Sequence, residues 1–227
     1  MFMKVLLLSI FIIGQTGLFI SNAAKNPDPK RFSDSFEKFA QEYTKGAKLT
    51  RPLTLFTGSS SIRRWDGLEK DFPQHNPLNR GFGGAHISDM LHYYDQLFPK
   101  YKPERIVMYC GENDLWSGKS VSQVFEDFQT LWKKIRKDLP SASLIYLSCK
   151  PSPKRFEKWN TYQALNLRIK NFCLRDDKLD FVDLSPTLLK PSFKFNPTHW
   201  DKDQLHVNRL GYDQWRDWLR PILNISR

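Results

Sequence analysis

Residues 105–118 read RIVMYCGENDLWSG, an apolar run that breaks at a glycine into a short polar stretch. A run of this length ending at Cys110 suits a strand buried on both faces, where hydrophobicity is continuous rather than alternating. Downstream, Ser120 and Gln123 have capping-box spacing, and Val121, Val124, Phe125, Phe128, Leu131, Trp132 and Ile135 recur on one helical face. Strand, polar glycine-bearing segment and amphipathic helix form the repeating unit of a parallel sheet covered by helices.

The same unit recurs on both sides. Upstream, a strand at 53–56 leads through LFTGSSSIRRW (55–65) into a short helix starting near Ile62. A weaker strand signal around Leu78 leads through NRGFGGAH into a helix carrying Ile87, Met90, Leu91, Tyr94 and Leu97. Before both, Phe36, Phe39, Ala40 and Tyr43 mark a helix over 33–45 that Gly46 stops. Downstream, strands at 143–148 and 180–184 flank a helix at 157–173, and a last helix spans 209–224. The loop before that last helix runs about 20 residues through NPTHWDKDQLH, a length that in a compact domain usually marks function. These elements predict an α/β fold, a three-layer α/β/α sandwich on a five-stranded parallel sheet. The segments after its first three strands and the long loop then meet at the carboxyl edge, where open α/β sheets bind ligands.

The 227 residues suit one domain, and the composition argues against disorder or a fibre. Lys4, the apolar run 5–20 and the small residues Ser21, Ala23 and Ala24 predict a signal peptide over 1–24, hence an exported, periplasmic or secreted protein. The 16-residue run is short for a membrane span, so no stable span is expected after cleavage, with an uncleaved anchor as the alternative. A linker and helix at 25–50 then precede the main domain at 51–227. The net charge of +11, or +10 without Lys4, comes from scattered residues without a nucleic-acid-binding signature, leaving a solvated surface or contact with an anionic envelope. Cys110, Cys149 and Cys173 read as small core residues. No CxxC or HExxH pattern calls for a metal, and no cofactor is expected.

Three serines, Ser59, Ser60 and Ser61, sit at the first strand-to-helix turn, where free backbone N–H groups favour negative charge. Acyl transfer also needs a base and donors for the developing oxyanion. Asp203, three residues before His206, has the spacing to accept an Nδ1 proton and leave Nε2 free to deprotonate a hydroxyl. The GFGG segment offers unobstructed backbone N–H groups and Asn113 an amide donor. His199 and Asp201 are the rival base and carboxylate in the same loop, whereas His75, His86 and His92 read as surface or helix residues.

These blocks, in this order, resemble the SGNH hydrolase superfamily, also called the GDSL esterases and lipases. The resemblance runs from about Leu53 to the C-terminus. Its first block, Gly-Asp-Ser, matches Gly58, Ser59 and Ser60, so Ser59 stands at the motif aspartate and the implied nucleophile is Ser60. The second matches Asn79 and Gly84, the third Gly111, Glu112, Asn113 and Asp114, and the last Asp203 and His206. The resemblance implies a flavodoxin-like topology, a catalytic triad of Ser60, His206 and Asp203, and an oxyanion hole from Ser60, Gly84 and Asn113. It is nearest the bacterial branch resembling platelet-activating-factor acetylhydrolase catalytic subunits, and it implies altered local hydrogen bonding around Ser59 with activity retained. Ser61 then reads as the helix cap.

The expected function is hydrolysis of a small or polymer-linked carboxylic ester, with acetyl-carbohydrate, short-chain acyl and lysophospholipid substrates all open. Trp65, Arg80, Trp116 and Trp200 are candidate substrate-lining residues, and Arg63, Arg64 and Arg80 candidate contacts for an anionic leaving group. An α/β-hydrolase elbow would place glycine where Ile62 stands. An acyltransferase with the same triad, or a non-catalytic glycan- or lipid-binding module, are the alternatives.

Overall fold

The computed structural model describes residues 24–44, 49–190, 192 and 194–225. The expected signal segment and the stop at Gly46 lie outside the described residues, apart from Ala24. The elements, in chain order, are α1 (Ser33–Thr44), β1 (Thr54–Gly58), α2 (Ser60–Arg63), α3 (Leu68–Asp71), β2 (Pro77–Gly81), α4 (Ile87–His92) and α5 (Tyr94–Leu97). They continue with β3 (Arg105–Tyr109), α6 (Glu112–Trp116), α7 (Val121–Asp138), β4 (Ser143–Leu147), α8 (Trp159–Cys173), β5 (Leu179–Val182), α9 (Ser185–Leu188) and α10 (Arg209–Leu223). The strands form one parallel sheet in the order β2-β1-β3-β4-β5. Among the described residues no helix is long and apolar enough to cross a membrane.

Alternation within each strand builds the two faces. Leu55, Ile106, Met108, Leu144 and Tyr146 face a layer that includes α4, α5, α7 and α8. Phe56, Val107, Tyr109, Ile145 and Leu147 face the layer of α2, α3, α9 and α10. Covering both faces is what makes the central strands β3 and β4 almost continuously apolar. Phe32 and Phe36, from the segment before the sheet, are buried in the first layer beside Phe82. The three cysteines are free and buried.

Two expectations change. The stretch after Cys110, expected as a loop, contains the helical turn α6, and the expected helix over 87–97 breaks at Tyr93 into α4 and α5. The φ of +111° at Gly111 turns the chain sharply enough for α6 to start at once. The capping box of α7 forms as predicted: Ser120 Oγ accepts Gln123 N at 3.2 Å, and Gln123 Oε1 accepts Ser120 N at 2.9 Å. Ser120→Ala should therefore cost about 1 kcal/mol, read as a lower denaturant midpoint at unchanged slope.

Candidate active site

The chain leaves β1 through Gly58, whose φ is +119° and where a Cβ would lie 2.0 Å from the Tyr109 carbonyl oxygen. Only glycine lets β1 pass that close to β3 and turn directly into α2. Ser59 N donates to Tyr109 O at 2.8 Å, and Ser59 O accepts Ile62 N and Arg63 N, so Ser59 is the cap position. This corrects the reading of Ser61 as the cap: Ser61 lies inside α2, buried, its carbonyl accepting from Tyr212 OH at 2.9 Å. Ser59 makes no side-chain cap bond. Ser60 is the first helical residue, and its hydroxyl meets His206 Nε2 at 2.8 Å.

His206 arrives on a tight turn of the long loop. Asp201 N donates to His206 O, Gln204 N to Asp201 O, and an antiparallel bridge pairs Trp200 with Val207. Inside the turn, Asp203 Oδ1 accepts the Leu205 and His206 N–H groups at 2.9 Å each, and Oδ2 lies 2.6 Å from His206 Nδ1. Burial raises the Asp203 carboxyl, but these hydrogen bonds outweigh it and hold the group below the usual carboxylate range. An ionised Asp203 can only accept, so Nδ1 carries the proton and Nε2 is the acceptor for the Ser60 hydroxyl. Burial lowers the His206 pKa and the Asp203 hydrogen bond raises it, while Lys150 and Arg64 add to the lowering. The net shift is downward, leaving the imidazole neutral at neutral pH.

The rival residues serve the same turn. Arg64 Nη1 bridges Asp201 and Asp203 at 3.1 and 3.2 Å. His199 Nε2 pairs with Asn196 at 3.0 Å, and neither His199 nor Asp201 bonds to Ser60.

Gly84, from the loop after β2, and Asn113, in α6 directly after β3, line the same cleft as Ser60 and His206, with a volume of about 580 Å³. Gly84 has φ of +85°. Among the described residues the backbone N–H groups of Ser60 and Gly84 donate to no protein acceptor. Asn79 supports this edge: its Nδ2 donates to Ile62 O at 2.8 Å and its Oδ1 accepts Gly81 N at 2.9 Å. The Asn113 amide is fixed at both ends, Nδ2 donating to Ala85 O at 3.2 Å and Oδ1 accepting Arg155 Nη1 at 3.0 Å. One amide hydrogen remains for the cleft.

A buried network ties α6 to the start of α4. Asp114 accepts Ile87 N at 3.2 Å and Lys119 Nζ at 2.9 Å, and Lys119 also reaches Asp127 at 3.0 Å. Burial pushes the Asp114 carboxyl up to about 6 against the pull of Lys119. His86, expected at the surface or on a helix, is buried at the α4 cap, and burial followed by Lys119 lowers it to about 4.

Three candidate lining residues sit elsewhere. Trp65 is 1% exposed, packed on Phe56, Phe72, Tyr212 and Trp215, with Nε1 bonded to Asp71 at 2.7 Å. Trp200 is 5% exposed, because its bridge to Val207 turns it into the core beside Phe195. Arg80 follows Asn79 on β2, so alternation sends it to the opposite layer, where it meets Tyr101 OH at 2.9 Å, Glu42 at 3.1 Å and the Phe39 ring. Trp116 is exposed and lies 4.8 Å beneath the Arg155 guanidinium, which itself lines the cleft. The sequence reading missed Arg31 and Arg155. Arg31 lies in a stretch read as linker and Arg155 between the strand expected at 143–148 and the helix expected at 157–173, and no local pattern links either to Ser60.

Residues 43–214 match the GDSL-like Lipase/Acylhydrolase family. The chain belongs to this family. The GDSL-like acylhydrolase is thus a hydrolase acting on esters, and its fold recurs in solved structures. A Streptococcus pneumonia protein provisionally described as a platelet activating factor superposes with TM-score 0.73 at 19% identity, covering 86% of this chain and 95% of that one. A GDSL-like lipase from Bacteroides thetaiotaomicron gives 0.69 at 20% identity, covering 83% and 98%. A catalytic mutant of an acetylxylan esterase from Geobacillus stearothermophilus gives 0.63 at 14% identity, covering 77% and 94%. No curated protein matches this GDSL-like acylhydrolase by sequence.

Proposed function

We propose that the chain is a serine esterase that cleaves a short-acyl carboxylic ester of a polar alcohol through an acyl-enzyme on Ser60. The hydrogen-bonded line from Ser60 Oγ to His206 Nε2 (2.8 Å) and from His206 Nδ1 to Asp203 (2.6 Å) carries this reading. His206 takes the Ser60 proton as Oγ attacks the carbonyl, and Asp203 holds the imidazolium that forms. The N–H groups of Ser60 and Gly84 and the Asn113 amide receive the oxyanion. Collapse expels the alcohol, which takes the proton from His206; water activated by the same imidazole then releases the acid.

Of the described side chains lining the cleft, only Phe32 and Leu205 are aliphatic or aromatic hydrocarbon, against Arg31, Arg63 and Arg155. That balance favours a short acyl group on a polar alcohol over a long lipid chain. Hydrolase and acyltransferase use the same atoms, and product analysis with a sugar acceptor present separates them. The N-terminal charged, apolar and small-residue pattern supports an exported enzyme.

The test is covalent labelling by a fluorophosphonate, followed as a function of pH. The adduct should form on Ser60. Its rate should be full at pH 7 and fall as acid protonates Nε2, with a midpoint below the ordinary imidazole value of 6.5. Labelling on another serine, or a rate flat through that range, would sink the assignment.

A further inference from the structure

We propose that the ester taken by this cleft carries an anionic group close to the scissile carbonyl, and that Arg63 binds it. This rests on the esterase reading of Ser60 and adds the charge of the substrate to it.

Among the described residues three guanidinium groups and no carboxylate line the cleft. Two of the three are already matched. Arg31 pairs with the buried Asp89 at 2.5 Å, and Arg155 with the buried Glu112 at 3.0 Å. Arg63 differs: among the described residues no ion pair or side-chain hydrogen bond engages it. Its neighbour Arg64 takes the nearby carboxylates of Asp201 and Asp203, and Arg80, the other basic candidate on this edge, is sequestered in the opposite layer. Of the three cleft arginines, Arg63 is therefore the one with no carboxylate partner among the described residues.

Its placement is specific. Arg63 follows Ser60 by three residues on α2, so both project from one helical face. The guanidinium crosses the loop that carries Gly84. A Cβ at Gly83 would lie 2.8 Å from Arg63 Nε and 3.3 Å from Nη2. Glycine at 83 thus leaves the space in which Arg63 lies, one residue before Gly84, one of the two backbone donors proposed for the oxyanion. A planar fork of donors at that point matches a carboxylate or phosphate oxygen pair. A neutral ester would leave the fork to water.

Three matched ester pairs read the charge. The first is 4-nitrophenyl hydrogen glutarate against its methyl ester, with the anion on the acyl side. The second is 4-acetoxybenzoate against its methyl ester, and the third 4-acetoxyphenyl phosphate against phenyl acetate; both place the anion on the alcohol side, as carboxylate and as phosphate. In at least one pair the anionic-to-neutral ratio of kcat/KM should be about tenfold in the wild type, the size of one charge-assisted hydrogen bond. Arg63→Gln should bring that ratio to about one, Arg63→Lys should keep part of it, and added salt should lower it in the wild type only. The ratio is internal to each protein, so lost activity from imperfect folding does not mimic the effect. Calorimetric binding of the same uncleaved esters to Ser60→Ala separates this inference from the esterase reading. Tighter binding of the anionic member, lost on adding Arg63→Gln, supports the inference even if Ser60 is not the nucleophile. Equal ratios and equal affinities with and without the Arg63 guanidinium would overturn it.

Discussion

Ser60→Ala is expected to lower turnover of 4-nitrophenyl acetate by on the order of 10⁴-fold or more, His206→Ala by a similar factor, and the double substitution by no more than either alone. The non-additivity follows from the geometry. The 2.8 Å contact makes the hydroxyl and the imidazole one unit, since a base without its nucleophile or a nucleophile without its base leaves only the oxyanion donors and binding. Asp203→Ala should cost less. The His206 backbone is also positioned by the Asp201 N–H to His206 O bond, which survives removal of the Asp203 side chain. Single-turnover kinetics with enzyme in excess measures these losses free of product release. Multiplying losses would mean that Ser60 and His206 act separately. An activity unchanged in Ser60→Ala would move the nucleophile elsewhere.

The parallel sheet was legible because both its faces are covered, which made residues 105–110 and 143–148 apolar without alternation. The Asp203–His206 turn was legible because its geometry is local, spanning three residues. The lining residues were not. Trp65 and Trp200 stood near expected strand ends, yet a tryptophan there has two faces of the chain to choose from, and only packing against Trp215 or Phe195 decides. Arg80 fell to a register question: one residue's shift along β2 exchanges cleft for core, and the sequence around Leu78 was too weakly patterned to fix it. Arg31 and Arg155 reach the cleft over 29 and 95 residues from Ser60, as numbered, with partners Asp89 and Glu112 that sit on other elements. Long-range ion pairs leave no periodic trace. Glu112 was seen only as one position of the third block, while its actual surroundings are two cations and a phenol.

Those surroundings make Glu112→Ala the substitution expected to cost most in stability, about 3–5 kcal/mol. Glu112 is 4% exposed and Lys150 1%, at 2.8 Å from each other, and Arg155 and Tyr109 OH complete the carboxylate's partners. Burial raises the Glu112 pKa, yet Lys150 and then Arg155 outweigh it and hold the carboxyl below its ordinary value of 4.5. A carboxyl depressed on folding contributes stability that is present above its unfolded value and is lost as pH falls through the folded one. Removing it should therefore flatten the acid limb of stability below pH 4.5 as well as lower the plateau. The loss comes from Lys150, left charged where water does not reach, so Glu112→Gln with Lys150→Met should recover much of it in denaturant titration. Recovery of folding should not restore turnover in full. Arg155 also holds Asn113 Oδ1 at 3.0 Å, and without the Glu112 charge that hold weakens and leaves the Ala85 contact alone to aim the amide at the proposed oxyanion. The double variant should keep KM within a few-fold and lose on the order of tenfold or more in kcat, the mark of a donor that acts in the transition state. Full recovery of both stability and kcat would show that Glu112 only balances charge.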